Sequence, residues 1–152
     1  MLQSIDHVNL VVEDLEGMKS FYTEVLGLKV TKEVTIYGDW VDATVGLKGV
    51  EAQVIYLDLP EGPRVELLKY VNPPGDRPDK LGQSNTMGLR HLAFRVEKID
   101  IFVEQLKRKK VPFLSEVMTV PNTQVTYKGG LQKRLVYFHD PEGNILELCC
   151  YT

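Results

Sequence analysis

The chain is poor in the features that would tie it to export, a bilayer or nucleic acid. It has only two cysteines, Cys149 and Cys150, and they are adjacent. That spacing is unsuited to a mutual structural disulfide and gives no framework for an exported fold. No second cysteine pair completes a zinc site, so both are read as buried thiols. No apolar run approaches the roughly 20 residues of a membrane-spanning helix. The opening stretch, "MLQSIDHVNLVVEDLEG", carries acids where a secretion signal carries bases and lacks a long apolar core. The cytoplasm is therefore the expected compartment. Basic excess is missing too: 18 Lys and Arg against 21 Asp and Glu leave a formal charge of −3. That balance gives no electrostatic reason for nucleic acid or an anionic membrane as partner.

What remains is an ordinary globular composition, 43% hydrophobic and 26% charged over 152 residues, enough for one domain or two small halves. The sequence also repeats itself. "PEGPRVELLKY" (60–70) and "PEGNILELCCY" (141–151) share Pro, Glu, Gly, Glu, Leu and Tyr at an offset of 81. "VIYLDL" and "LVYFHD" precede them with a Tyr in register, and "DHVNLVV" (6–12) matches "RHLAFRV" (90–96) at an offset of 84. Two copies make a pseudo-symmetric pair, since a stacked array needs at least three.

Each half shows the same order of elements. "DHVNLVV" alternates as a strand, with Val8, Leu10 and Val12 opposite His7, Asn9 and Val11. "DLEGMKSFYTEVLGL" reads as a helix: Asp14 at the N-cap, a stripe of Leu15, Met18, Tyr22, Val25 and Leu26, and a stop at Gly27. Its counterpart, "DIFVEQLKRKKV", opens at Asp100, buries Phe102, Val103 and Leu106, and ends in basic residues. Three strands follow in each half, near Lys29–Ile36, Glu51–Leu59 and Arg64–Val71, then near Pro112–Thr119, Lys133–His139 and Ile145–Tyr151. The polar, Pro- and Gly-rich segment 72–86 reads as a connector between a first module at 1–71 and a second at 87–152. The expected architecture is βαβββ twice, an α+β protein with helices on one face of a mixed sheet.

Period-two alternation places four unusual polar residues. Val65 and Leu67 share a face opposite Glu66, Leu68 and Tyr70; Leu146 and Leu148 lie opposite Glu147, Cys149 and Tyr151. His91, Ala93 and Arg95 lie opposite Leu92, Phe94 and Val96. Each half thus contributes one His from its first strand and one Glu from its last, on the face turned away from the helices. A lone Glu in a strand is usually its solvated side. The same two residue types at the same two places in both halves point instead to a shared function. His7, Glu66, His91 and Glu147 form a nitrogen and oxygen set suited to a divalent cation such as Zn, Ni, Co, Mn or Fe, whose charge two carboxylates cancel. Four protein ligands around an octahedral ion leave positions open for substrate, as a catalytic rather than structural site requires.

These residues, in this order, resemble the vicinal oxygen chelate superfamily, which includes glyoxalase I, methylmalonyl-CoA epimerase, extradiol dioxygenases and the fosfomycin and bleomycin resistance proteins. The resemblance runs through "DHVNLVVEDLEGMKSFYTEVLGLKV", "VELLKY", "RHLAFRVEKIDIFVEQLKRKKVPF" and "YFHDPEGNILEL", nearly the whole chain. It implies paired βαβββ modules curling into a U-shaped, barrel-like sheet around one metal ion, commonly in a homodimer. The ligand set matches glyoxalase I, whereas methylmalonyl-CoA epimerases typically carry Gln at the second place. "DHVNLVV" lacks the arginine that a glutathione carboxylate would need, and "VGLKG" followed by "ELLKY" resembles cyclitol epimerases of the 2-epi-5-epi-valiolone type.

The implied activity is isomerisation or epimerisation of a small substrate chelated through neighbouring oxygens, by proton transfer α to a carbonyl, with Glu147 or Glu66 as base. Tyr37, Tyr56, Tyr127, Lys128 and Arg95 are candidate substrate contacts, and "TYKGGLQKR" is a candidate lid. His139 is assigned to the turn before "DPEG". The alternatives are a lactoylglutathione-lyase-like glyoxalase, an extradiol-type dioxygenase using His7, His91 and Glu147, and a non-catalytic drug-sequestering protein. In the dioxygenase, Glu66 would occupy a position the reaction needs. Sequestering members generally dispense with the metal ligands.

Overall fold

The computed structural model describes residues 1–152, which form two compact units, Met1–Arg77 and Pro78–Thr152. The first contains β1 (His7–Val11), α1 (Leu15–Ser20, continued by a π-helical turn at Phe21–Val25), β2 (Lys29–Tyr37), α2 (Asp39–Val45), β3 (Glu51–Asp58) and β4 (Arg64–Asn72). The second contains β5 (His91–Arg95), α3 (Ile99–Arg108), β6 (Met118–Thr119), β7 (Lys133–His139) and β8 (Ile145–Tyr151).

The sheets have one plan. Strand order is β1-β4-β3-β2 in the first unit and β5-β8-β7-β6 in the second, with the outer strands β1 and β5 parallel to β4 and β8 and the other pairs antiparallel. The fold is α+β, as expected. It is not one barrel-like sheet, however: the strands make two separate four-stranded sheets, because β1 and β5 each hydrogen-bond a single neighbour and end their sheets as open edges.

Local chemistry explains the helices. Asp14 caps α1 by accepting the Gly17 N–H at 3.0 Å. A Cβ on Gly17 would stand 2.2 Å from that carboxylate, so a larger residue there would make the Asp14 side chain shift. The π-helical turn holds one extra residue, which shifts the buried stripe. Leu15, Met18, Phe21, Tyr22 and Leu28 are buried, while Val25 and Leu26, expected in the stripe, are only half-buried. In the second unit α3 begins at Ile99, one residue ahead of the expected start, and has no side-chain cap. Asp100 instead accepts both terminal guanidinium nitrogens of Arg134 at 2.7 Å each, a bidentate pair that holds its carboxyl below the usual aspartate range. Ile99, Val103 and Leu106 supply the buried face and Phe102 is half-buried.

Two elements differ from expectation. The helix α2 interrupts the run between β2 and β3. The expected strand Pro112–Thr119 reduces to two residues, because the chain leaves the sheet in between. His139 N–H donates to Pro112 O at 3.0 Å and Leu114 N–H to Tyr137 O at 2.9 Å. Glu116 then turns outward to Lys107 at 2.8 Å, and pairing with β7 resumes only at Met118.

Candidate functional site

In the first unit, β1 and β4 bring His7 and Glu66 to the same face, in the register His7↔Arg64 and Asn9↔Glu66. His7 Nε2 lies 3.7 Å from Glu66 Oε2, and its Nδ1 lies 2.8 Å from Asp6 Oδ2. Asn9, one pleat along from His7, donates from Nδ2 to Glu66 Oε2 at 3.1 Å. Tyr56 is the cross-strand partner of Glu66. Burial, and then the neighbouring Glu66 carboxylate, push the Tyr56 phenol above its ordinary value, so it stays protonated and able to donate. The Arg64 guanidinium sits 4.6 Å from the Tyr56 ring centre and is itself fixed by Asp58 at 3.1 Å.

The second unit repeats the arrangement on β5 and β8. His91 Nε2 stands 3.0 Å from Glu147 Oε2, and the Glu147 side chain is only 3% exposed. Tyr137, cross-strand from Glu147, packs its ring 4.9 Å from that of His91. Burial raises its phenol as well. The other oxygen, Oε1, lies 2.6 Å from Lys133 Nζ. That contact is close but off the hydrogen-bonding direction, so Oε1 has an ionic partner without an aligned donor. Burial pulls the Lys133 ammonium down, but the carboxylate outweighs it and the pKa ends raised. A buried carboxylate of this kind needs such a partner.

Of the candidate substrate contacts, Tyr56 lies beside Glu66. Tyr127 and Arg95 both meet Tyr151, the first edge-on at 5.2 Å between ring centres, the second with its guanidinium 5.4 Å from the ring. Lys128 is exposed on a 3₁₀ turn, Lys128–Gly130, in the candidate lid. Tyr37 is 69% exposed and pairs with Glu51, away from Glu66 in register. His139 accepts a structural role, its Nε2 at 3.2 Å from Gly82 O, beside an Asp140 that caps the following turn. Both cysteines are buried, and burial raises the Cys149 thiol. Asp6, Asn9, Lys133 and Tyr137 were not among the candidates. Tyr137 was within reach, because it repeats Tyr56 at the offset of 81.

No three His, Cys, Asp or Glu side chains of the chain stand close enough together to hold a metal ion. Each unit presents one His–Glu pair. Two donors bound at about 2.1 Å and at right angles stand about 3 Å apart. The His–Glu separation of 3.0 Å in the second unit is close to that spacing and is also that of a direct ion pair, while the 3.7 Å of the first unit is wider. Imidazole and carboxylate would suit a divalent metal, and with Lys133 against Oε1 the oxygen that Glu147 would offer to one is Oε2.

Known proteins give this geometry a context. The family model described as the Glyoxalase/Bleomycin resistance protein/Dioxygenase superfamily matches residues 4–148. The protein YaeR of Escherichia coli (strain K12) is 31% identical over 97% of the chain and 95% of its own length. A 2-epi-5-epi-valiolone epimerase of an Actinomyces species is 30% identical over 95% of the chain and 78% of its own length. The crystal structure of a glyoxalase family protein from Bacillus cereus superposes with a TM-score of 0.82 at 28% identity, covering 99% of this chain and 95% of that one.

Proposed function

The chain belongs to the Glyoxalase/Bleomycin resistance protein/Dioxygenase superfamily, and from that premise we propose that it is a divalent-metal-dependent isomerase or lyase of the glyoxalase or epimerase type. It transfers a proton α to the carbonyl of a small substrate held through two neighbouring oxygens. The reading includes a homodimer working in the cytoplasm. What carries it is the pairing of an imidazole Nε2 with a glutamate Oε2 on the same face of the sheet in both units.

His7, Glu66, His91 and Glu147 would hold the ion, which when bound supplies Lewis acidity toward the substrate's carbonyl oxygen. The proton itself is moved by carboxylate. Glu66 is the more accessible of the two, 14% exposed against 3%, and is steadied by Asn9 rather than by a cation. Glu147 is held by Lys133 and His91. One of the two takes the proton from the α-carbon, and it or the other returns it, to the opposite face for an epimerase or to the neighbouring carbon for a glyoxalase. The phenols of Tyr56 and Tyr137, kept protonated beside these carboxylates, donate to substrate oxygens. Carboxylates in both halves favour proton transfer over ring cleavage, which needs a coordination position that Glu66 would occupy.

The test is elemental analysis of the purified protein, followed by deuterium uptake from heavy water across 2-oxo, thioester and cyclitol-ketone compounds. Uptake at the α-carbon without oxygen consumption is the expected result. Oxygen-dependent turnover of a catechol, or no exchange with any compound in metal-loaded protein, would overturn the reading.

A further inference from the structure

The duplicated sheets allow the two units to be compared position by position, and at one end of the site face they disagree. In the first unit Val11 pairs with Leu68, and Ala52 with Tyr70. The equivalent pairs in the second unit are Arg95 with Cys149, and Lys133 with Tyr151. The first unit covers this end with its own helix: Val41 of α2 and Val50 pack onto Ala52, Val54 and Leu68, with Tyr70 at the margin. The second unit has no α-helix between β6 and β7, only the 3₁₀ turn Lys128–Gly130, and it is Tyr127, just before that turn, that packs on Tyr151. Two apolar positions have become cations on the same backbone plan, at an end that no α-helix of this unit covers.

The two cations are not equivalent. Lys133 is matched by the Glu147 carboxylate at 2.6 Å. Arg95 is exposed and contacts the face of Tyr151, with no carboxylate in ion-pair distance. Tyr151 is in turn braced by Tyr127. A guanidinium resting on a ring loses little freedom when it binds, and its planar fork fits carboxylate or phosphate oxygens. Arg95 lies four residues along β5 from His91, about 13 Å at strand rise.

We propose that Arg95 and Tyr151 form an anion-binding subsite at the far end of the second unit's site face, so that the substrate carries a carboxylate or phosphate on an arm beyond its reacting carbonyl. This deepens the function proposed above and rests on it for the reaction, though not for the binding. Arg95 is here a specificity-determining residue.

Calorimetric titration of the full chain tests it, with the protein stripped by chelator and, separately, loaded with manganese. The probes are 2-oxodicarboxylates from 2-oxoglutarate to 2-oxosuberate, the 2-oxomonocarboxylates of equal length, and 2-oxo acids ending in a phosphonate. In stripped protein a terminal anion of the right length should tighten binding about tenfold over the matched monocarboxylate. Arg95→Met should abolish that preference, Arg95→Lys should retain part of it, and rising salt should erode it. The stronger of the carboxylate and phosphonate arms identifies the anion. Equal affinity for both series, or a preference that survives Arg95→Met, overturns the subsite. If manganese tightens both series without any preference, the subsite fails while the metal reading stands. If the preference appears and manganese adds nothing, the reverse holds.

Discussion

His7 is held from both sides: Asp6 Oδ2 lies 2.8 Å from Nδ1, and Glu66 lies across from Nε2. In the tautomer with its N–H on Nδ1, facing Asp6, the Nε2 lone pair would be free for a cation. Asp6→Asn should therefore weaken metal binding by about tenfold, the lower end for such partners because Asp6 is 84% exposed and screened by solvent. Unfolding stability should stay within about 0.5 kcal/mol of the parent, as for most surface changes. Competition titration against a metal chelator measures the first and urea unfolding the second; unchanged affinity would remove Asp6 from the site. At this scale the pairing of a His with a Glu on one sheet face of each unit was legible, because strand alternation and the repeat both point to it. Lys133 was not. A lysine in a strand reads as solvated, and its counterpart in the other half is Ala52, so comparing the copies hides it.

The strands were legible as elements, because alternation and glycine-bearing turns bound them, and all but one fall within about a residue of expectation. The helix α2 was not, and its composition explains why. Only Val41 of its seven residues is buried, and Trp40 is 61% exposed, so it has no apolar stripe to read. What holds it is tertiary. Gly46 closes the helix in the left-handed region at φ 71°, and Asp42 then accepts the N–H groups of Gly49 and Val50 at 2.7 Å each, folding the chain back so that Val50 joins Val41 against β3 and β4. Asp42→Ala leaves both donors without a partner and should cost about 1–3 kcal/mol in urea unfolding, with Asp42→Asn in between. A neutral result for Asp42→Ala would mean that the apolar cluster alone positions the helix.

The duplication makes its strongest demand on the molecule as a whole. Each unit offers one imidazole and one carboxylate, a weak pair by itself, since two protein ligands leave most of an ion's coordination to water. If the two pairs serve one ion, their contributions cannot be independent: removing either imidazole leaves three donors, and the second removal acts on a site already lost. If each pair binds its own ion, the losses add. Equilibrium dialysis with manganese or nickel separates these cases. The parent should bind one ion per chain and gain about 2.7 kcal/mol of stability at a free-metal concentration one hundred times its dissociation constant. His7→Ala and His91→Ala, on different units, should each abolish most of that gain, and the double variant should lose little more than either alone. Two ions per parent chain, with half the metal retained in each single variant, would instead assign the units separate sites and remove the basis for a shared reaction centre.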